Sequence, residues 1–278
     1  MKQVRPKKNL GQHFLTDLNI ASAIADTVDA CPDIPVLEVG PGMGVLTQFL
    51  AKKPRPLRVV EIDRESVAYL KETLFRENES PIIEGDFLRM DLHQLFDGQP
   101  FVLTGNYPYD ISSQIFFKML DNKDLIPCCT GMIQREVAQR MEAKPGTKAY
   151  GILSVLIQAW YDVEYLFTVD EYVFDPPPKV KSAVIRMTRN KVQDLGCDEK
   201  LFRRVVKTVF NQRRKMLRVS LRQLFTKDTM PDSSFFEKDI MTKRPEQLTI
   251  PQFVELTNLI KLTVDSSSLA KRQSRADS

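Results

Sequence analysis

The sequence predicts an α/β fold, with a seven-stranded, mostly parallel sheet covered by helices on both faces and followed by a smaller all-helical domain. Short β-type apolar runs alternate with amphipathic helical patterns as far as about Thr188, where the strand signals stop. Strands that alternate with helices favour a parallel sheet covered on both sides. We therefore expect a sheet domain over residues 1–190, a helical domain over 191–265 and a disordered polar tail over 266–278.

The strands and the first helices can be placed in chain order. Predicted strands lie at residues 36–39, 57–62, 81–84, 101–104, 130–134, 163–169 and 183–187. Helical patterns follow the first, second and fourth strands, at 47–52, 64–78 and 112–120, and Ser112 is a candidate N-cap for the third helix. No long helical pattern separates the last two strands, so we expect them to form a hairpin-like addition at one edge of the sheet.

The helical domain shows a different pattern. Residues 200–227 hold ten Lys or Arg and no Asp or Glu, and apolar residues recur there at helical spacing on both sides of a break near Asn211. This pattern predicts an amphipathic pair of helices with one buried stripe and one basic face. A further helix is expected over 247–262.

The composition excludes several classes of protein. Hydrophobic residues make up 42% of the 278 residues, so the chain can bury a core and is not predominantly disordered. The net charge of +4 by itself indicates no partner. The four cysteines lack C-x-x-C spacing, which argues against a zinc site or a disulfide framework and favours a reducing cytoplasm. We also expect neither a membrane span nor a signal peptide, because no apolar run is long enough.

A glycine-rich loop follows the first predicted strand and opens a helix. It runs from Glu38 to Gly44, with glycines at positions 40, 42 and 44. Such a loop lets a ligand approach the backbone, and the helix N-terminus offers free N–H groups. This glycine spacing departs from the G-x-G-x-x-G of dinucleotide sites. Glu61 ends the second strand, where a carboxylate can accept both hydroxyls of a ribose, so the pattern favours a nucleoside site without a pyrophosphate.

Asp86 directly follows the third predicted strand, at the neighbouring position along the sheet edge. A carboxylate there can accept a hydrogen bond from an adenine amino group. The same Gly-Asp pair also occurs in ordinary turns, so Asp86 alone is a weak signal.

The segment Asn106-Tyr107-Pro108-Tyr109 follows the fourth predicted strand. The Asn side-chain oxygen and the Pro carbonyl are two acceptors at one point, which suits a bound –NH₂ group, and Tyr109 offers a face for base stacking. Hydrogen bonds to both amine protons favour a tetrahedral nitrogen, whose lone pair can attack the methyl group of a sulfonium donor. An Asn-x-Pro turn without a catalytic role is the plain alternative.

Five segments carry a resemblance to a known family: KNLGQHFL at 8–15, EVGPGMG at 38–44, NYPY at 106–109, FDPPPKVKSAV at 174–184 and FNQRRK at 210–215. These segments resemble those of the ribosomal RNA adenine dimethyltransferases, which have the Rossmann-like class I methyltransferase sheet. The glycine loop is shared by many methyltransferases, whereas the last two segments are more specific. The resemblance covers residues 8 to about 260 and implies S-adenosyl-L-methionine as the cofactor.

The resemblance also implies roles for single residues. The cofactor is expected to contact His13, Leu15, Glu38, Gly40, Gly42, Gly44, Glu61, Asp86 and Asn106. The expected catalytic residues are Asn106, Pro108, Tyr109 and Phe174, with Pro108 orienting the target amine and the two aromatic rings enclosing the target adenine. The chain departs from the family pattern at His13, where Asn is frequent, and at Tyr107, where Leu is usual and an inward-packed side chain is expected.

Basic residues of the helical domain are the predicted contact with RNA phosphates. They include Arg213, Arg214, Lys215, Arg218 and Arg222, to which the N-terminal Lys2, Arg5, Lys7 and Lys8 can add. Because a 6-amino group is reachable only on an unpaired or flipped adenine, the target is expected in a structured RNA loop. The family's target is two adjacent adenosines near the 3′ end of small-subunit (16S) rRNA, so the resemblance implies the immature small ribosomal subunit as partner.

Two other classes of function stay open at this point. One is a ribosome-assembly or RNA-binding factor whose methyl transfer is secondary or lost, although the intact site residues count against it. The other is a nucleotide-dependent oxidoreductase, against which the glycine spacing and the Asn106–Tyr109 loop count. The sequence shows no dimer seam and no metal-ligand pattern, so we expect a cytoplasmic monomer without a metal.

Overall fold

The computed structural model describes residues 4–7, 10–76 and 81–276, with side chains described as far as residue 267. The chain forms two compact units. The first contains Met1–Gln139 and Trp160–Asn190, and the second contains Arg140–Ala159 and Lys191–Ser278. Residues 140–159 therefore belong to the second unit and not to the sheet domain, because this segment packs on the C-terminal helices, where the Tyr150 hydroxyl donates to the Leu248 carbonyl at 2.8 Å.

The strands are β1 Phe14–Leu15, β2 Val36–Val39, β3 Leu57–Glu61, β4 Ile82–Glu84, β5 Val102–Thr104, β6 Cys128–Gln134, β7 Tyr161–Val169, β8 Phe174–Asp175 and β9 Ser182–Arg189. The α-helices are α1 Leu18–Asp26, α2 Thr47–Leu50, α3 Arg64–Thr73, α4 Ser112–Asp121, α5 Arg135–Glu142, α6 Ile152–Gln158, α7 Glu199–Asn211, α8 Leu217–Ser220, α9 Ser233–Glu237 and α10 Ile250–Ala276.

Seven of these strands form one sheet in the order β4-β3-β2-β5-β6-β9-β7. The first five run parallel, and β9 runs antiparallel to both of its neighbours. This arrangement confirms the predicted fold class, including the antiparallel addition at one edge. Because the parallel strands end on the same side of the sheet, the loops after β2, β3, β4 and β5 meet there.

Some element boundaries differ from the sequence prediction. Helix α3 ends at Thr73 and not near residue 78. Ser112 begins α4 but does not cap it, since its hydroxyl donates to the Tyr109 carbonyl at 3.2 Å and a 3₁₀ turn over Tyr109–Ile111 precedes the helix. Helix α1 and the small antiparallel sheet of β1 and β8 are not among the predicted elements.

Helix α1 has clear local causes. The Asp17 carboxylate accepts hydrogen bonds from the backbone N–H groups of Asn19 and Ile20 at 2.9 and 3.1 Å, which satisfies two N–H groups of the first turn. Ala21, Ile24 and Ala25 are buried in the core that backs the sheet. This apolar face at helical spacing was a signal that could have predicted the helix.

The structure contains a disulfide between Cys31 and Cys128, whose Cα atoms lie 5.8 Å apart. The expectation of no disulfide is wrong at this pair. The two cysteines are 97 residues apart in sequence, and they meet only because α1 and the turn that follows it pack against β6. Linear spacing does not reveal a pair of this kind.

In the second unit, α7 is the first helix of the predicted amphipathic pair, whereas the expected second helix is only the short α8 followed by a 3₁₀ turn over Leu221–Leu224. Helix α7 buries Phe202, Val205, Val206, Val209 and Phe210, and its charged side chains lie on the other face. Helix α10 continues to Ala276, so the tail that was expected to be disordered from residue 266 is helical as far as residue 276. Within the described part of the chain, no helix is long and apolar enough to cross a membrane.

Candidate active site

A cavity of about 240 Å³ opens in the first unit where the parallel strands end. Ten of the residues predicted for the site line it: His13, Leu15, Glu38, Gly40, Gly42, Glu61, Asp86, Asn106, Pro108 and Tyr109. Residues 10–12 of the N-terminal segment line it as well. The topology thus brings together side chains from five separate segments of the sequence.

The glycines of the loop after β2 serve two different purposes. Gly42 has a φ of +55°, and a Cβ atom there would lie 3.0 Å from the Phe14 ring, so the loop can approach the N-terminal segment closely. Gly44 has a φ of +80°, and a Cβ atom there would lie 2.8 Å from Leu70. Gly44 does not line the cavity. It lies where the loop packs on α3, so the structure does not bring it together with the other predicted cofactor contacts.

Glu61 is held at the end of β3 by two backbone N–H groups. Its Oε2 accepts from Gly42 at 3.0 Å and its Oε1 accepts from Asp63 at 2.9 Å. Burial raises the pKa of Glu61, and these two hydrogen bonds oppose the rise. Since a carboxylate has about four lone-pair positions, both oxygens keep acceptor capacity for the hydroxyls of a ribose.

Glu38 is a second carboxyl in the cavity wall, and its surroundings differ. It is 1% exposed, and its Oε2 has no hydrogen-bond partner among the described residues. Burial raises the pKa of Glu38 to about 8, which the Thr47 hydroxyl opposes and the charge of Glu61 reinforces. A cation bound in the cavity would favour the ionised form of this carboxyl, so the wall fits a positively charged cofactor.

Two further side chains shape the wall near Glu61. Asp86 follows β4, and its Oδ1 accepts from the Leu88 N–H at 2.9 Å while its Oδ2 lies 3.5 Å from Arg89. Ile62 is 52% exposed and lines the cavity, so it offers an apolar surface to a flat ring. Ile62 is not among the predicted site residues, although an apolar residue directly after a site carboxylate is a usable signal.

Asn106 lies after β5 at the edge of the cavity. Its Nδ2 donates to the His13 carbonyl at 3.2 Å, which directs the amide nitrogen towards the N-terminal segment. The next residue, Tyr107, is 1% exposed, and its hydroxyl donates to the Thr130 carbonyl at 2.8 Å. The expected inward packing of Tyr107 is confirmed, and it fixes the backbone on which Asn106 and Pro108 sit.

Pro108 and Tyr109 complete this loop. The Pro108 carbonyl accepts a hydrogen bond from the Ile111 N–H at 3.2 Å, and a carbonyl oxygen has a second lone pair that can accept from another donor. The Tyr109 hydroxyl is hydrogen-bonded to the buried hydroxyl of Ser182 at 2.5 Å. Ser182 belongs to the FDPPPKVKSAV segment, and its contact with Tyr109 could not be predicted, because only the fold brings β9 to this loop.

Phe174 does not take the position that the resemblance implied. Its side chain is 4% exposed, belongs to the hydrophobic core and does not line the cavity. The cause is the β1–β8 pairing, in which Phe174 lies opposite Leu15 and both side chains are buried. The expected sandwich of Tyr109 and Phe174 is therefore not formed, and the ring stacked on Tyr109 is His13, with a centroid distance of 5.4 Å.

The N-terminal segment is tied to α3 by an ion pair. The Lys7 Nζ lies 2.6 Å from Asp63 Oδ1, and the Gln12 Nε2 lies 3.4 Å from Asp63 Oδ2. Burial alone would raise the pKa of Asp63, but the bonds from Lys7 and Ser66 bring it below its usual range. Lys7 thus holds this segment beside the cavity and is not an unpaired RNA contact, while the predicted contacts Lys2 and Lys8 lie outside the described residues.

The predicted RNA-binding residues of the second unit fall into two groups. Arg214, Lys215, Arg218 and Arg222 are exposed, and the Arg222 guanidinium lies 4.3 Å from the Phe236 ring centroid. Arg213 instead points into the unit. It donates to the Thr147 carbonyl at 3.0 Å and lies 3.9 Å from the Glu246 carboxylate, so it joins three distant parts of the sequence.

Comparison with known proteins identifies the family. Residues 3–261 match the family model described as "Ribosomal RNA adenine dimethylase". The chain is 68% identical over 261 residues to a "Ribosomal RNA small subunit methyltransferase A" of Bacteroides thetaiotaomicron, which covers 94% of this chain and 96% of the relative. It is 57% identical over 262 residues to the protein of the same name from Porphyromonas gingivalis, with 94% and 100% coverage.

Solved structures agree with this result. A dimethyladenosine transferase from Plasmodium falciparum superimposes with a TM-score of 0.74 at 22% identity, covers 92% of this chain and 98% of its own, and shows the shared fold. The 23S rRNA methyltransferase ErmE superimposes with a TM-score of 0.62 at 26% identity, with 89% and 99% coverage. The oxidoreductase alternative loses its support, and S-adenosylmethionine is the methyl donor that this family and fold imply. The chain therefore belongs to the ribosomal RNA adenine dimethylase family, as its motifs predicted, and is a methyltransferase that acts on ribosomal RNA.

Proposed function

We propose that this chain transfers methyl groups from S-adenosylmethionine to the 6-amino groups of two adjacent adenosines near the 3′ end of small-subunit rRNA. The observation that carries the site assignment is the hydrogen bond from Asn106 Nδ2 to the His13 carbonyl. Because the amide nitrogen is engaged there, the Asn106 oxygen is left as an acceptor for the target amine. Family membership supports the RNA substrate.

In the proposed mechanism, the loop after β5 presents two acceptors to the target –NH₂ group. The Asn106 oxygen accepts a hydrogen bond from one N–H of the amine, and the second lone pair of the Pro108 carbonyl accepts a hydrogen bond from the other N–H. Two such bonds favour a tetrahedral nitrogen and localise its lone pair for attack. Tyr109 is the proposed stacking surface for the adenine ring.

The bound donor supplies an electrophilic methyl group on a sulfonium. The amine nitrogen would take this methyl group as the methyl–sulfur bond breaks, the donor would leave as a neutral thioether, and one amine proton would pass to solvent. Glu61 is proposed to hold the ribose, Asp86 the adenine amino group of the cofactor, and Glu38 to balance its positive charge. The chain's contribution is orientation and charge and does not require a strong base.

We further propose that the exposed basic residues of the second unit contact RNA phosphates on an immature small ribosomal subunit in the cytoplasm, and that the chain acts as a monomer. The exposed residues on α8 and the turn before it include Arg214, Lys215 and Arg218. Such side chains can follow a phosphate backbone without reading its sequence.

The test uses labelled S-adenosylmethionine and small subunits that lack the modification, followed by digestion of the RNA and identification of the nucleosides by mass. We expect dimethyladenosine from two adjacent positions with the wild-type chain. If adenosine carries no label while the chain stays bound to the subunit, the chain is an assembly factor and not the proposed enzyme. Label on a base other than adenosine would also contradict the proposal.

A further inference from the structure

His13 makes contacts with two other parts of the site. Its imidazole is stacked on the Tyr109 ring, with centroids 5.4 Å apart and the planes inclined by 29°. Its Nδ1 lies 2.8 Å from the Pro176 carbonyl, in the proline run that follows β8. Its own carbonyl accepts the hydrogen bond from Asn106. One residue thus connects the N-terminal segment, the loop after β5 and the proline run.

The backbone of His13 is held by structure on its C-terminal side. Phe14 and Leu15 form β1, pair with Asp175 and Phe174 of β8, and are buried. The carbonyl contact with Asn106 therefore depends on the main chain and would survive a change of side chain. The two imidazole contacts would not, so substitutions at position 13 separate these roles.

Tyr109 has two anchors, one at its edge and one on its face. Ser182 holds the hydroxyl, and His13 covers part of the ring. If only the hydroxyl were held, the ring could still rotate about its Cβ–Cγ bond. An imidazole that is itself bonded to the Pro176 carbonyl restricts that movement and keeps the ring plane fixed.

We propose that the His13 side chain is a positioning residue for the target adenine: it holds the Tyr109 ring in the plane on which the base stacks. This role differs from the cofactor contact that the resemblance implied for His13, and it rests on the proposed function of Tyr109. Because a small error in base position has a large cost for an in-line transfer, loss of the imidazole should lower the transfer rate more than it lowers cofactor affinity.

The test measures three quantities for His13→Asn and His13→Phe. They are the single-turnover rate at saturating cofactor and RNA, the Kd of S-adenosylmethionine, and the fluorescence of 2-aminopurine placed at one target adenosine, which reports base stacking. For H13N we expect a rate about tenfold lower, a Kd changed less than about threefold and weaker quenching. H13F keeps a ring on Tyr109 and should recover most of the rate and the quenching.

The matched controls are His93→Ala and Ser182→Ala. His93 is the other histidine of the chain and is exposed on a 3₁₀ turn, so H93A should behave as wild type. S182A removes the other anchor of Tyr109 and should reduce the rate and the quenching, as H13N does. Comparison of thermal unfolding midpoints shows whether any variant is merely less stable.

Several outcomes would overturn the inference. If H13N leaves the rate and quenching unchanged, or if its whole effect lies in the cofactor Kd, His13 does not position the base. Tyr109→Ala distinguishes this failure from failure of the proposed function. If Y109A loses quenching while H13N does not, only the His13 inference fails; if Y109A keeps full quenching, the proposed stacking surface is itself wrong.

Discussion

The site in the first unit and the basic surface of the second unit are built differently. In the first unit, hydrogen bonds to backbone or side-chain groups hold the side chains of Glu61, Asp63 and Asn106. In the second unit, the side chains of Arg214 and Lys215 are exposed. The two arrangements suit different tasks. Methyl transfer requires atoms that are fixed before the reaction begins. Attraction to a phosphate backbone requires charge but little fixed geometry. Substitutions in the two regions should therefore produce different kinetic signatures.

The largest effect is expected for Asn106→Ala. The variant loses the acceptor that orients the amine, so the single-turnover rate should fall about 10²- to 10³-fold, the scale seen when a polar stabiliser of a transition state is removed. Cofactor affinity should weaken only modestly, which equilibrium binding measures. A wild-type rate would show that Asn106 takes no part in the chemistry.

The next effect is expected for the triple substitution of Arg214, Lys215 and Arg218 by Ala. RNA affinity should fall, and the dependence of log K on log salt should become shallower by about 0.7 to 0.9 for each phosphate that the variant no longer neutralises. The transfer rate at saturating RNA should change little. An unchanged salt slope would place the RNA-binding surface elsewhere on the molecule.

Arg213→Ala should instead affect stability. This side chain bonds to the Thr147 carbonyl and lies beside Glu246, and both would lose a partner. We expect a loss of about 1 to 2 kcal/mol in the free energy of unfolding, measured by urea denaturation, because the site is partly exposed. Arg214→Ala is the matched control and should leave stability within about 0.5 kcal/mol. Equal free energies of unfolding for the two variants would show that Arg213 does not stabilise the fold.

The smallest effect concerns pH. Burial raises the pKa of Glu38 to about 8, so this carboxyl is mostly protonated at pH 7 in the free chain. A cationic cofactor favours the ionised form, so binding should release close to one proton, and affinity should rise with pH until about pH 8. Calorimetry in buffers of different ionisation enthalpy measures this release.

Glu38→Gln is the control for the pH experiment, because the pKa of Glu61 is also raised by burial. Glutamine keeps the size of the side chain but cannot ionise. If the release persists in E38Q, the proton comes from Glu61 or another group. If the wild-type chain releases no proton, the charge of the cofactor does not change the ionisation of Glu38.

The fold and most of the cavity followed from the sequence because they depend on local patterns. Alternating strand and helix signals predicted the sheet, and the residues at the ends of β2, β3, β4 and β5 line one cavity because parallel strands end together. Motif resemblance added His13 and Leu15, which no local pattern would have placed near the glycine loop.

The differences arise where tertiary packing decides. The motif that contains Phe174 predicts an exposed stacking residue, but the pairing of β8 with β1 buries this side chain. The glycine loop predicts a cofactor contact at Gly44, but in the structure this residue faces Leu70 of α3. Ser182 and the Cys31–Cys128 disulfide depend on contacts between residues that are far apart in sequence.

The central claim is that the site in the first unit sets the rate of methyl transfer, whereas the basic surface of the second unit contributes RNA affinity. The most direct test is the single-turnover rate of methyl transfer to small ribosomal subunits, measured over a range of subunit concentrations for three chains. They are the wild type, N106A and the triple variant of Arg214, Lys215 and Arg218. We expect the triple variant to reach the wild-type rate once the subunits are saturating and N106A to stay slow at every concentration. A triple variant that remains slow at saturation, or an N106A variant that recovers there, would contradict it.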